Sequence, residues 1–183
     1  MGQYYVAIIL AEDGKKIRLY MSANNYGSGV KLMEHSYCNS YFIKAFEYLI
    51  SPDGDYHKSR IVWAGDYADK ETNYNGTPDK TLFSIALKYL ADSKPPVKDT
   101  SKYRYIVNHT KRIYIDKQTL ISNDYNCVIH PLPLLVSEGN GRGCGDYKGI
   151  NEELCGTWAR DIISVEYELP YEYKLFDCNF AEY

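Results

Sequence analysis

Thirteen residues, Ser137 to Gly149, hold five glycines, with Arg142, Cys144 and Asp146 set among them. Backbones of that kind let successive N–H groups converge on an anion, and Arg142 would add a positive charge for a phosphate. Arg142 would also lower the pKa of the Cys144 thiol if that thiol is exposed. The spacing is not that of a P-loop, because no Lys-Ser or Lys-Thr follows the glycines. Nor is it a dinucleotide fingerprint, since no clear helix and acidic strand end follow. The competing reading is a tight loop between two strands, whose glycines answer a backbone need. A Cys/His nucleophile pair would require His130 to reach Cys144 through the fold.

Asp66 and Asp69, in Trp63-Ala64-Gly65-Asp66-Tyr67-Ala68-Asp69, place two carboxylates at a strand exit. They would bind a metal or act as acid and base, or else cap turns by accepting backbone N–H groups. Glu34-His35 is not part of an H-E-x-x-H motif. The four histidines are scattered without metal-ligand spacing, so no metal or other cofactor is expected. Five cysteines, Cys38, Cys127, Cys144, Cys155 and Cys178, form no C-x-x-C pair. An odd, dispersed set argues for reduced thiols and a cytoplasmic setting. The opening residues lack a basic leader and cleavage site, and no apolar run approaches the roughly 20 residues that span a bilayer. No catalytic signature emerges.

Charge is more informative. Residues 151–183 carry eight acids against Arg160 and Lys174, a net of −6, in a chain whose total is −3. Residues 94–118 carry seven bases against Asp99 and Asp116, a net of +5. Tyrosines, 20 in all, run through both segments and suit half-buried strands and protein interfaces. A basic, aromatic hairpin over 102–117 is what RNA or single-stranded nucleic acid would require. An acidic strand bearing tyrosines would dock on a basic protein groove. A sequence pI near 5.8 weighs against nucleic acid as the main partner.

The elements that must hold these residues follow from periodicity. Residues 3–10 and 17–22 read as strands joined by an Asp-Gly turn. Cys38, Phe42, Ala45, Phe46 and Leu49 share one helical face, ended by Ser51-Pro52-Asp53-Gly54. Ser59–Ala64 reads as a strand. Thr77-Pro78 is expected to open a second helix with Leu82, Ala86, Tyr89 and Leu90 as its stripe. Tyr103–Val107 and Arg112–Asp116 form a hairpin-like pair. Residues 126–136 are apolar but contain Pro131 and Pro133, which predicts an edge or bulged strand. Trp158–Glu168 alternates as a strand, and a last one is expected over Tyr171–Leu175. The sum is one α+β domain over 1–183, a mostly antiparallel sheet of about six to eight short strands with two helices packed on one face.

Several strings together carry a resemblance: the opening Met-Gly-Gln-Tyr-Tyr, Gly29-Val30-Lys31-Leu32-Met33-Glu34-His35-Ser36, Val62–Asp69, Glu138–Gly143 and Trp158-Ala159-Arg160-Asp161. They resemble small proteins of phages and prophages of gut Firmicutes, over nearly the whole chain. Within that group the chain is similar to the type II-A anti-CRISPR proteins, inhibitors of an RNA-guided Cas nuclease. The resemblance implies a stoichiometric binder of the guide-RNA-loaded Cas nuclease in the bacterial cytoplasm. It carries no catalytic residues with it.

Joined to the charge pattern, this expectation puts the docking surface on Glu166, Tyr167, Glu168, Tyr171, Glu172 and Tyr173, facing the nuclease's positive channel. Two alternatives stay open. One is a nucleotide or small-molecule binder, or an enzyme, using the loop Gly139–Gly149 with Arg142, Cys144 and Asp146. The other is RNA binding through the hairpin 102–117.

Overall fold

The computed structural model describes residues 2–72, 74, 79–122, 127–140 and 143–183. Its centre is β1, Tyr5–Leu10, six consecutive residues all buried. Such a continuous apolar run, rather than an alternating one, requires cover on both faces of the strand. Strand β2, Ile17–Met21, pairs antiparallel to it. In the turn between them the Asp13 carboxylate accepts from the Lys15 and Lys16 amides at 2.8 and 2.9 Å. On its other side β1 pairs antiparallel with β3, Ser59–Gly65.

The far edge of β3 is shared. Near its start it pairs with β7, Ile162–Glu166, through Ser59 and Arg60. At its end it pairs in parallel with β6, Ser137–Glu138, through Trp63 and Ala64. Beyond β7 come β4, Tyr105–Asn108, then β5, Ile113–Asp116, and lastly the two-residue β8, Lys174–Leu175. The sheet thus has eight strands in the order β2-β1-β3-β7-β4-β5-β8, with β6 off that path. Among the described residues only the β3–β6 and β5–β8 strand pairs are parallel. The expected α+β class and mostly antiparallel sheet are what the chain forms.

Among the described residues four α-helices join it: α1, Leu32–His35; α2, Tyr41–Leu49; α3, Leu82–Tyr89; and α4, Pro131–Leu135. Phe42, Phe46 and Leu49 of α2 and Leu132 and Leu135 of α4 pack with Tyr5, Ala7, Ile9, Ile61 and Trp63. Leu82, Ile85 and Ala86 of α3 pack with Val6, Ile8, Leu10, Val62 and Ala64. Because side chains alternate along a strand, these are the two opposite faces of the sheet. The expectation of both helices on one face is therefore corrected. The two-sided burial of β1 and β3 demands a helix on each.

Local expectations shift for identifiable reasons. Residues 127–136 do not add an edge strand. His130 accepts the Leu132 amide as an N-cap and Pro131 opens α4, where a proline lacks only an amide that has no helical partner. The Thr77-Pro78 start lies outside the described residues, and α3 itself begins at Leu82 with Thr81 as its cap, accepting from the Ser84 amide at 3.1 Å. Tyr89 leaves the expected stripe and is 54% exposed, while Ile85 enters the core. Cys38 precedes α2 rather than riding on it. Strand β7 starts only at Ile162, because Arg160 takes a left-handed turn and Trp158 is buried ahead of it.

The larger core is organised around Trp63. Its ring meets Phe46 and Phe42 at 4.7 and 5.7 Å in edge-on contacts. Its indole N–H donates to His35 Nε2 at 3.0 Å, so the His35 proton sits on Nδ1, which donates to the Gly29 carbonyl at 3.0 Å. A neutral, fully used imidazole is what burial permits there. Truncating this cluster leaves a cavity that a sheet pinned on both faces cannot collapse. Phe46→Ala is expected to cost about 3–5 kcal/mol in urea denaturation. A loss below about 1 kcal/mol would show that the cluster does not anchor the core.

Candidate functional site

Because the β4–β5 hairpin lies between β7 and β8, the basic segment meets the acidic one. Arg104 forms a two-pronged pair with Asp116, Nε to Oδ1 at 3.0 Å and Nη2 to Oδ2 at 2.6 Å. Lys111 pairs with Asp161, and Arg112 lies 3.6 Å from Glu172. Lys102 bonds Asp53 at 2.9 Å and Lys117 bonds Glu47 at 2.7 Å. All five bases of 102–117 thus face a carboxylate. The basic side of the charge split is matched in space, with Asp161 and Glu172 supplying two of its carboxylates from the acidic third.

The six residues expected to dock a partner fall into two layers. Glu166 is inward, with only 13% of its side chain exposed. It accepts from His57 Nε2 at 2.5 Å and from the Ser164 hydroxyl at 2.6 Å. Ser164 has then used its one proton, so His109 Nε2–H donates to its oxygen at 2.7 Å, and the Tyr173 hydroxyl donates to His109 Nδ1 at 3.1 Å. Every bond in the chain Tyr173, His109, Ser164, Glu166 points the same way, towards the carboxylate. Burial, with Lys58 nearby, lowers the His109 pKa to about 4. Tyr167 is exposed but tethered: its hydroxyl bonds Asp53 and its ring lies 4.9 Å from Tyr103. Hydrogen bonds from Tyr103, Tyr167 and Lys102 hold the Asp53 carboxyl well below the usual carboxylate range.

The outer layer is Glu168, Tyr171 and Glu172, all exposed, with Tyr171 at 87%. Leu169 and Leu175, 40% and 56% exposed, stand in the same segment. Sequence reasoning passed over these two leucines, because an isolated leucine near a strand reads as core. By alternation Leu169 continues the apolar face of Ile163 and Val165, and only Pro170, which ends the strand, marks it as lying beyond the core. Among the described residues β8 ends the strand order and presents an open sheet edge.

The glycine-rich loop is used for packing. Arg142 lies outside the described residues. Asp146 accepts the Met33 amide at 3.0 Å, capping the first turn of α1. The Cys144 thiol donates to the Glu152 carbonyl at 3.3 Å. A side chain at Gly139 would stand 2.6 Å from the Gln3 amide and 2.8 Å from the Tyr5 hydroxyl. That hydroxyl donates to the Gly143 carbonyl at 2.7 Å. Asp66 accepts the Tyr4 amide at 3.0 Å, a turn-capping role.

A second cluster was not foreseen, since its members lie up to 92 residues apart in the sequence, from Cys38 to His130. Glu47 of α2 is buried and accepts from His130 Nε2 at 2.8 Å and Lys117 Nζ at 2.7 Å. His130 Nδ1 accepts from the Leu132 amide, so the ring is neutral with its proton on Nε2. Burial alone would raise the Glu47 pKa, but the bonds from His130 and Lys117 outweigh it and hold the carboxyl at about 2. These groups line a cleft of about 360 Å³ with Cys38, Lys44 and Arg104. Burial and the Glu47 charge push the Cys38 thiol up to about 12, and both His130 nitrogens are engaged, so this is no thiolate nucleophile. Among the described residues no three His, Cys, Asp or Glu side chains converge as a metal-ligand set, and no helix is long and apolar enough to cross a membrane.

Two outcomes are expected from these buried groups. His35 and His109 both have folded pKa values near 4, His35 chiefly through desolvation, below the unfolded value of about 6.5. The unfolded chain then binds more protons, so stability falls as pH drops from about 6.5 to 4, by roughly 3 kcal/mol for His35. Glu47 acts lower, its contribution being present above pH 4.5 and lost towards pH 2. Urea midpoints measured from pH 8 to 3 check this, and a flat profile between 6.5 and 4 would contradict it. Lys117→Met removes one donor from a buried carboxylate and is expected to cost about 3–5 kcal/mol at pH 7. Chemical denaturation of the variant reads that loss directly.

Comparison with protein-family models, with curated proteins and with solved structures returns no match.

Proposed function

We propose that the protein works by binding another protein through the segment Tyr167–Leu175 at the open sheet edge. The observation that carries this reading is the exposure of Leu169, Tyr171 and Leu175 on a segment tied down from beneath. Tyr173 is bonded into the His109–Ser164–Glu166 chain, and Tyr167 is bonded to Asp53. A segment ordered in advance loses little conformational entropy on association. Tyrosine with flanking apolar groups is the composition of interface anchors. Glu168 and Glu172 stand at the rim, where carboxylates steer approach to a basic partner.

The partner to test first is a guide-RNA-loaded type II Cas nuclease, whose nucleic-acid channel is strongly positive. The resemblance of the chain to type II-A anti-CRISPR proteins supports that choice. The pairing of Glu172 with Arg112 and the inward turn of Glu166 shift the weight from long-range attraction to apolar anchoring. Association is therefore expected to survive moderate salt. RNA binding through 102–117 has less support, since each base there already faces a carboxylate. Ligand binding at Gly139–Gly149 also has less, since Asp146 and Cys144 serve the loop itself.

The test is co-purification with the guide-loaded nuclease, followed by target-DNA binding and cleavage with and without the protein. Tyr171→Ala is expected to weaken association by about 2 kcal/mol, roughly 30-fold, with the melting temperature unchanged. No association of the wild-type protein would remove this partner. Undiminished binding by the variant would remove this surface.

A further inference from the structure

The glycine-rich loop holds chemistry that the docking segment does not use. The Cys144 sulfur lies 3.3 Å from the carbonyl oxygen of Glu152, and the Cys155 amide donates to that same oxygen at 3.1 Å. One carbonyl so brings the Cys144 sulfur and the Cys155 backbone to the same point, and Cys144 packs against the core cluster that contains Cys155. Ten residues separate them in the chain. Gly143 and Gly145 flank Cys144 and Gly156 follows Cys155, all three with left-handed backbones. That freedom at both ends matters, because a disulfide tolerates only a narrow range of Cα and Cβ separations. Cys155 is buried, yet it lines a cleft of about 350 Å³ with Gly139, Gly143 and Arg160, an entry for a small reagent. Cys144 is half-buried.

We propose that Cys144 and Cys155 are a redox pair, converted to an intramolecular disulfide by a low-molecular-weight disulfide such as oxidised glutathione. The Cys144 thiolate attacks one sulfur of the oxidant, forming a mixed disulfide and releasing one thiolate. Cys155 then gives up its proton and attacks the Cys144 sulfur, forming the protein S–S bond and expelling the second thiolate. Two thiols are oxidised, two electrons reduce the oxidant to two thiols, and the two protons end on those products. The order follows from access: Cys144 is half-buried and Cys155 is buried, so a reagent in solution meets the Cys144 sulfur first. Cys38 and Cys178 have thiols pushed up to about 12, chiefly by burial, and react slowly.

The experiment treats the full chain with graded oxidised glutathione, quenches with an alkylating agent, and reads intact mass and linked peptides. The expected product has lost the mass of two hydrogens, carries a 144–155 link, and has its other three cysteines alkylated. Cys144→Ser, at a half-exposed position, is expected to abolish the link, whereas Cys38→Ser leaves it. The same treatment in denaturant is expected to give mixed pairings at a slower rate. Three results would each overturn the proposal: stable single glutathione adducts without a link, a link from Cys155 to Cys178 instead, or a 144–155 link no faster in the native chain than in the unfolded one.

Discussion

Opposite charges that stand far apart along this chain have to meet, because the β4–β5 hairpin enters the sheet between β7 and β8. Lys111 finds Asp161, Arg112 finds Glu172, and Lys117 reaches across to Glu47. An exposed pair of this kind contributes only about 0–1 kcal/mol. Its larger effect is on the field that the molecule presents. With the hairpin bases matched, what they leave outward near the sheet edge is a mixed surface of Leu169, Tyr171 and Leu175 beside Glu168 and Glu172. The character of the surface is set by how the strands are ordered and only indirectly by the composition of each segment.

The same economy governs the buried polar groups. Three imidazoles are fixed as neutral tautomers by their neighbours: His35 between Gly29 and Trp63, His130 between Leu132 and Glu47, His109 between Tyr173 and Ser164. In each case one nitrogen donates and the other accepts, leaving no lone pair to serve as a base. The networks hold α1 to β3, α2 to α4, and the C-terminal segment to the sheet. An imidazole fully occupied in this way is a structural joint, and the hydroxyl of Ser164 beside it is inaccessible.

Much of the fold was legible in the sequence because short-range physics decides it. The Asp13-Gly14 turn, the apolar face of α2 and the hairpin around Asn108–Lys111 each need only neighbouring residues. What failed to be legible depended on distant ones. The prolines at 131 and 133 were ambiguous between a strand edge and a helix start until His130 was seen to cap the turn. The side on which α3 packs was misplaced by the expectation of one covered face, although the unbroken apolar run Tyr5–Leu10 needs cover on both. In the candidate site, Tyr171 and Glu168 were legible as exposed, while Glu166 was not separable from them, since its inward turn is set by His57, 109 residues away. Tyrosine patterning indicated interfaces without saying which were internal: Tyr5, Tyr103 and Tyr147 are buried, and Tyr171 and Tyr183 are open.

The placement of β7 has one more consequence. It fills the middle of the sheet, beside β3, from about a hundred residues further along the chain. Neither the start of β3 nor the β4–β5 hairpin has its inner neighbour until that distant stretch arrives and threads between them. Closing so long a loop costs entropy before any contact compensates it, and chains rich in such distant pairings search slowly. The early ensemble should therefore contain two half-sheets, β2-β1-β3 and β4–β5, with unsatisfied edges facing each other. For this chain, assembly is a matter of late insertion rather than sequential zipping, and the period before insertion is when its edges are most open to pairing with other chains.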